Sequence, residues 1–227
     1  MIFSFLKAPI FMMAVAVAKN KPKQGKMKQA LLIFVKNAVK GKVKTRLAAT
    51  IGDDAALEVY NRLLVHTENS TKDTCAHKIV LYSDFIDSDD IWKEELYDKQ
   101  IQSGKSLGER MRNAFDYAFR WENEKVAIIG SDCFEINSDI IDQAFEKLGN
   151  CEVVIGPALD GGYYLLALNK LHNELFVNID WSTDKVLSQT IEICENNGLK
   201  VARLQALSDI DNEEDLNKFY KNSQHLK

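Results

Sequence analysis

The chain has 227 residues, 46% hydrophobic and 27% charged, enough for one sizeable core and in keeping with a soluble globular enzyme or binding domain. Its four cysteines (Cys75, Cys133, Cys151, Cys194) form no CxxC pair and its four histidines have no zinc spacing, which argues for free thiols in a reducing compartment and against a cysteine-rich metal site. The formal charge of −4 is unevenly spread: residues 1–52 hold eleven Lys or Arg and no acid, leaving −15 (−4 less 11) on the other 175.

Residues 1–18 are apolar, but the unbroken stretch Ile10 to Ala18 is too short for a membrane span, which needs about 20 residues. Lys19-Asn20-Lys21-Pro22-Lys23 stands where a secretion signal would place small cleavage-site residues. Residues 1–27 are therefore expected to be an apolar and basic extension outside the core, with a signal or anchor as the alternative. A domain is expected over 28–221, with a flexible tail at 222–227, no stable membrane span and a cytoplasmic setting.

Ala30 to Val35 is unbroken apolar sequence and reads as a buried strand. It runs into a basic stretch, Lys36 to Leu47, with Gly41 amid four lysines and Arg46. Such a loop can fold round phosphates, Gly41 allowing close backbone approach and Lys36, Lys44 and Arg46 neutralising the anion; the alternative is a solvated basic loop. It is neither a Walker A loop nor a GxGxxG turn. A helix follows over Asp53 to His66, then a strand at Lys78 to Tyr82 and an acidic loop, Ser83 to Asp90, expected to face solvent. Tyr97 to Gln102 reads as a short strand. Ser106 caps the next helix, where Gly108 and Arg110 would serve an anion at the helix start, or Arg110 is an ordinary surface residue.

Val126 to Ile129 is the central strand, and the turn that closes it delivers Asp132 to the carboxyl edge of the sheet, where open α/β folds hold ligands. A helix from Ser138 to Leu148 and a strand from Cys151 to Gly156 come next. Asp160-Gly161-Gly162 then connects to the strand Tyr163 to Leu168, which is expected to pair into a smaller second element. Trp181 precedes a helix that stops at Asn196-Asn197-Gly198, Leu199 to Leu204 is the last strand, and Asp209 and Asp211 stand before a short final helix. The alternation of strands and helices gives an α/β domain with a mostly parallel sheet.

Carboxylates and a basic loop together suit a hard divalent ion, Mg²⁺ or Mn²⁺, which takes oxygen ligands and bridges substrate phosphates. Asp132 and Asp211 are the expected ligands, Lys44 and Arg46 would stabilise charge as the bond breaks, and Asp160 would orient or deprotonate an acceptor hydroxyl. Cys133 reads as buried packing.

Six segments carry a resemblance: LLIFVKNAVKGKVKTRLA (31–48), SLGERM (106–111), VAIIGSDC (126–133), VVIGPALDGGYYLLAL (153–168), IDWSTDKVLSQT (179–190) and SDIDNEEDL (208–216). Together they resemble the DUF2064 family, also described as rSAM/selenodomain-associated transferase 1, GT-A-like glycosyltransferases of the nucleotide-diphospho-sugar transferase superfamily. The resemblance implies a Rossmann-like GT-A fold, phosphate handling by Gly41, Lys44 and Arg46, and metal ligation by Asp132. It also implies a C-terminal acidic pair at Asp209 and Asp211, with Asp211 the main contributor. Gly161, Gly162, Trp181 and Asp209 are expected as support or acceptor positions. The chain departs from the family pattern at Phe134, where Pro is usual, and at Asn212-Glu213, where Thr-Pro is usual.

The leading expectation is a metal-dependent transferase acting on a nucleotide-activated sugar and a small-molecule acceptor. The alternatives are a nucleotidyltransferase joining an NTP to a small phosphorylated acceptor with release of pyrophosphate, and a non-catalytic nucleotide-binding module. A nucleic-acid partner is disfavoured, because the basic residues lack interleaved aromatics for base stacking.

Overall fold

The computed structural model describes residues 28–224, with side chains through residue 221; the extension expected at 1–27 and residues 225–227 lie outside the described residues. Seven strands form one sheet: β1 (Gln29–Val35), β2 (His77–Tyr82), β3 (Tyr97–Ile101), β4 (Lys125–Ile129), β5 (Val153–Pro157), β6 (Tyr163–Leu168) and β7 (Val201–Arg203). Their order is β3-β2-β1-β4-β6-β5-β7. Only β6 runs against the others, pairing antiparallel with both β4 and β5. Tyr163 to Leu168 is thus a central member of the main sheet and not part of a smaller second element.

The helices are α1 (Thr45–Ile51), α2 (Asp53–Thr71), α3 (Leu107–Arg120), α4 (Ser138–Lys147), α5 (Val186–Asn196) and α6 (Glu213–Gln224). Side chains alternate across a strand, so β1 feeds both layers. Leu31, Ile33 and Val35 join the core that contains Ile140, Ile141, Ala144 and Phe145 of α4. Ala30 and Leu32 join the core that contains Met111, Ala114, Phe115 and Ala118 of α3 and Cys194 of α5. Both faces of β1 are covered, which is why it reads as continuous apolar sequence rather than as an alternation.

A third cluster sits at the carboxyl edge: Val43, Leu47, Ala56, Val59, Tyr60 and Leu63 from α1, α2 and the preceding loop, with Ile210 and Leu216 from the C-terminal segment. This cluster brings residues from both ends of the domain to one place. Helix α1 is not evident in the basic stretch, because Leu47 is its one fully buried residue in this core, with Val43 just before it and Ala48 and Ile51 packed at the margin. Helix α2 continues past His66 to Thr71, carried by hydroxyls that bond back to the helix: Thr67 to the Leu63 carbonyl and Thr71 to that of Thr67. The last strand is shorter than expected, and α6 runs on to Gln224, into the stretch expected as tail.

The acidic loop is not uniformly solvated. Asp90 is nearly buried, accepting a hydrogen bond from Tyr82 and pairing with Lys99 Nζ at 2.8 Å.

Both departures from the family pattern have a structural role. Phe134 stacks on Phe219 of α6 at 4.4 Å between centroids and meets His66 edge-on, which pins α6 against the turn behind Asp132. Asn212 Oδ1 accepts from the Asp215 amide at 3.1 Å, while Asp215 Oδ2 accepts from the amides of Asp211 and Asn212, each at 3.2 Å. This reciprocal cap does at the start of α6 what Pro would otherwise do.

Candidate active site at the carboxyl edge of the sheet

β1, β4 and β5 end on the same edge, and a cleft of about 890 Å³ opens above them. Its floor is set by a crossing of chain segments. The Tyr60 hydroxyl receives the Lys36 amide at 2.8 Å, donates to the Lys36 carbonyl at 3.1 Å and lies 3.2 Å from Ser131 Oγ, tying the end of β1 to the end of β4. Burial raises the proton affinity of this phenol, with Asp132 adding to the effect, so it is held as a neutral strut. The Ile210 amide donates to the Asp132 carbonyl at 3.0 Å, which draws the C-terminal segment alongside.

At the centre stands Lys44. It caps the start of α1 in the left-handed conformation, φ 48° and ψ 43°, unusual for a residue with a side chain. Its side chain is 5% exposed, and Nζ lies 2.6 Å from Asp132 Oδ1 and 3.4 Å from Asp211 Oδ1, whose own side chains are 44% and 40% exposed. Arg46 reaches Asp211 Oδ2 from the solvent side at 3.7 Å. A strained backbone that aims a buried cation at two exposed carboxylates is the kind of strain that collects at functional sites.

Asp209 lies behind this group. Burial, then the negative charges of Asp132 and Asp160, push its carboxyl up to about 7, against a smaller opposing pull from Lys44. Unfolded, the same group titrates near 4, so between about pH 4 and pH 7 the native state holds a proton that the unfolded chain has lost. In metal-free buffer, Asp209 therefore costs stability as pH rises through that window, levelling off above it, by roughly 2–4 kcal/mol. The melting temperature of Asp209→Asn relative to wild type should climb across this range. A difference that stays constant from pH 4 to 8 would show that Asp209 ionises normally.

Lys36, Lys44, Arg46, Arg110, Asp132, Asp160, Gly162, Trp181, Asp209 and Asp211 all border the cleft. Asp160 sits in the β5–β6 connection, where its Oδ1 accepts from the Gly162 amide at 2.9 Å. Arg110 is oriented by a bond from Nε to the Gly104 carbonyl at 3.2 Å, and Ser106 caps α3 as expected, accepting from Glu109. Three glycines stand apart from the cleft wall. Gly41 shapes the turn before α1. Gly108 is buried under Trp181, and a Cβ there would fall 2.4 Å from the indole Nε1, so its missing side chain makes room for that ring. Gly161 meets the backbone of Asp184 in the same way. Sequence reasoning missed Tyr60, which had no signal beyond its place on an apolar helix face, and also Ser83, Gln102 and residues 182–184, which complete the rim.

Among the described residues, no group of three or more His, Cys, Asp or Glu is arranged to hold a metal on its own. The chemistry nevertheless fits: Asp132 and Asp211 offer hard oxygens around a point already taken by a cation, the Lys44 ammonium. Two carboxylates completed by water and substrate phosphates match the habit of Mg²⁺.

Residues 66–183 match the family model described as an uncharacterized protein conserved in bacteria, DUF2064. The chain belongs to this family. The match contains Asp132 and Asp160 but stops short of Lys44 on one side and of Asp209 and Asp211 on the other. Among solved structures, a putative nucleotide-diphospho-sugar transferase from Desulfovibrio desulfuricans G20 is 30% identical, with a TM-score of 0.79 over 86% of this chain and 87% of that one. The inositol-1-phosphate CTP transferase from T. maritima is 14% identical, with a TM-score of 0.56 over 87% of this chain and 95% of that one. The 4-diphosphocytidyl-2C-methyl-D-erythritol synthase from Anaerococcus prevotii DSM 20548 is 10% identical, with a TM-score of 0.53 over 88% and 96%. The last two share the fold alone. No curated protein matches the chain. The DUF2064 protein thus has the Rossmann-like GT-A architecture of transferases that use nucleotides, and among its described residues no helix is long and apolar enough to cross a membrane.

Proposed function

We propose that this DUF2064 protein is a nucleotidyltransferase that joins an NTP to a small phosphorylated acceptor and releases pyrophosphate. The observation that carries the reading is the meeting of Lys44, Asp132 and Asp211 on the floor of a cleft bordered by three further cations, Lys36, Arg46 and Arg110. Four basic groups around one polyphosphate-sized space suit a triphosphate and the highly charged pyrophosphate that leaves it.

In this reading Lys44 and Arg46 hold the phosphates, and Arg110 faces them from the start of α3. Asp160, fixed by its bond from Gly162, positions the acceptor. An acceptor oxygen attacks the α-phosphorus, the bond from that phosphorus to the bridging oxygen breaks, and pyrophosphate departs with the electron pair. Asp132 and Asp211 would hold Mg²⁺ or Mn²⁺, which when bound supplies Lewis-acid neutralisation of the phosphate charge. A cytoplasmic enzyme acting on small molecules, with no nucleic-acid partner, completes the proposal.

The second reading is glycosyl transfer from a nucleotide-activated sugar, with release of the nucleoside diphosphate. It draws on the description of the relative at 30% identity. Product analysis separates the two. With Mg²⁺, NTPs and a panel of sugar phosphates, the nucleotidyl reading expects acceptor-dependent pyrophosphate. Nucleoside diphosphate released from sugar nucleotides, with no pyrophosphate from any NTP, would replace it with the second reading.

A further inference from the structure

The Lys44 ammonium occupies the place that a divalent cation would need, between Asp132 and Asp211. Its backbone is firmly placed. The Lys44 carbonyl accepts the Ala48 amide at 2.8 Å, and the preceding turn is closed by Lys42 donating to the Val39 carbonyl at 3.0 Å. Val43 and Leu47 on either side are buried in the α1–α2 core. Only the four-carbon stem is free to move, and the cleft lies directly beside it. A divalent ion arriving alone would have to break the contacts of this buried ammonium with both carboxylates, while bringing a double charge beside Lys44 and Arg46. A polyphosphate in the cleft changes both conditions, since it offers the ammonium an anion and offers the metal further oxygens.

We propose that Lys44 acts as a resident stand-in cation: it closes the Asp132–Asp211 site to divalent metal until a polyphosphate draws it into the cleft, so that metal and nucleotide bind as an obligatorily coupled pair. The inference rests on the reading of the cleft as a polyphosphate and cation site, but not on which transfer reaction occurs there. Linkage makes the coupling reciprocal: whatever factor diphosphate adds to metal affinity, metal adds to diphosphate affinity. It also gives the left-handed backbone of Lys44 a purpose, because that conformation turns the stem inward to the carboxylates and keeps it out of solvent.

The test is Mn²⁺ titration, read by the electron paramagnetic resonance signal of the free ion. Wild type, Lys44→Gly and Lys44→Met are compared, each alone and with inorganic pyrophosphate after correction for chelation in protein-free controls. Lys44→Gly removes the ammonium and relieves the positive φ, while Lys44→Met keeps the stem, so at least one variant is expected to remain folded. Without pyrophosphate, both variants should bind Mn²⁺ at least about tenfold more tightly than wild type. With pyrophosphate, wild type should gain a similar factor and the variants should gain little. Adding Asp132→Asn to Lys44→Gly should abolish the gain. The inference is overturned if wild type binds Mn²⁺ alone as tightly as the variants, or if the gain survives Asp132→Asn. These readouts need no turnover, so a failed product assay would count against the proposed reaction and leave this result standing.

Discussion

Asp132→Asn should lower the transfer rate by about 10²- to 10³-fold while leaving the protein folded, the scale expected when one preorganised charged group is removed from a reacting centre. The substitution keeps the shape of the side chain at the end of β4 and removes only its charge. Lys44 keeps Asp211 at 3.4 Å, but its shortest contact, 2.6 Å to Asp132 Oδ1, loses its ionic character. The carboxylate pair that would hold the cation is halved. Because Asp132 is 44% exposed and its carbonyl, not its side chain, receives the Ile210 amide, the junction with the C-terminal segment survives. Far-UV circular dichroism should be unchanged, with melting within a few degrees of wild type. A variant that folds and turns over at the wild-type rate would remove Asp132 from the chemistry under either proposed reaction.

The largest loss of stability is expected at Gly161. Its φ is +91°, and a Cβ built there would lie 2.2 Å from the Asp184 carbonyl oxygen, which is backbone and cannot swing aside. Gly161 also accepts the Leu187 amide at 2.9 Å, so the β5–β6 connection and the start of α5 are locked together at this point. Gly161→Ala combines left-handed strain with overpacking, together about 3 kcal/mol or more. For a domain of this size the melting temperature should fall by roughly 6–12 °C. Activity should fall as well, because the shift moves Asp160 and residues 182–184 on the cleft rim. Melting within 2 °C of wild type would mean that the two segments are not in the contact described.

Most strands were legible because burial on both faces leaves an unbroken apolar run, as in β1 and β4. The site was legible at its polar strand ends: Lys44, Arg46, Asp132, Asp160, Asp209 and Asp211 border one cleft although they span residues 44 to 211. Three things were hidden, each for a physical reason. Helix α1 is short and follows a basic loop, and its stability comes from packing Leu47, with Val43 just before it, against α2 rather than from its own periodicity. Gly108 looked like a phosphate contact because glycine at a helix start is compatible with one, and only the position of Trp181 shows that the missing Cβ makes room for an indole. The placement of β6 was illegible because an apolar strand carries no mark of its neighbours or its direction.

That placement bears on how the chain is made. As synthesis proceeds from the N-terminus, β1 and β4 can pair as soon as residue 129 has emerged, but the other edge of β4 belongs to β6, which ends at Leu168. During the intervening residues a half-made molecule carries an unpaired strand edge, flanked by the apolar side chains Val126 to Ile129, at what will become the middle of its sheet, the kind of edge that recruits neighbouring chains. The pairing of β6 with β4 ends this exposure, and the β5–β6 connection carries Asp160 to the cleft. A released fragment ending at Lys147 should therefore aggregate more readily than the full chain.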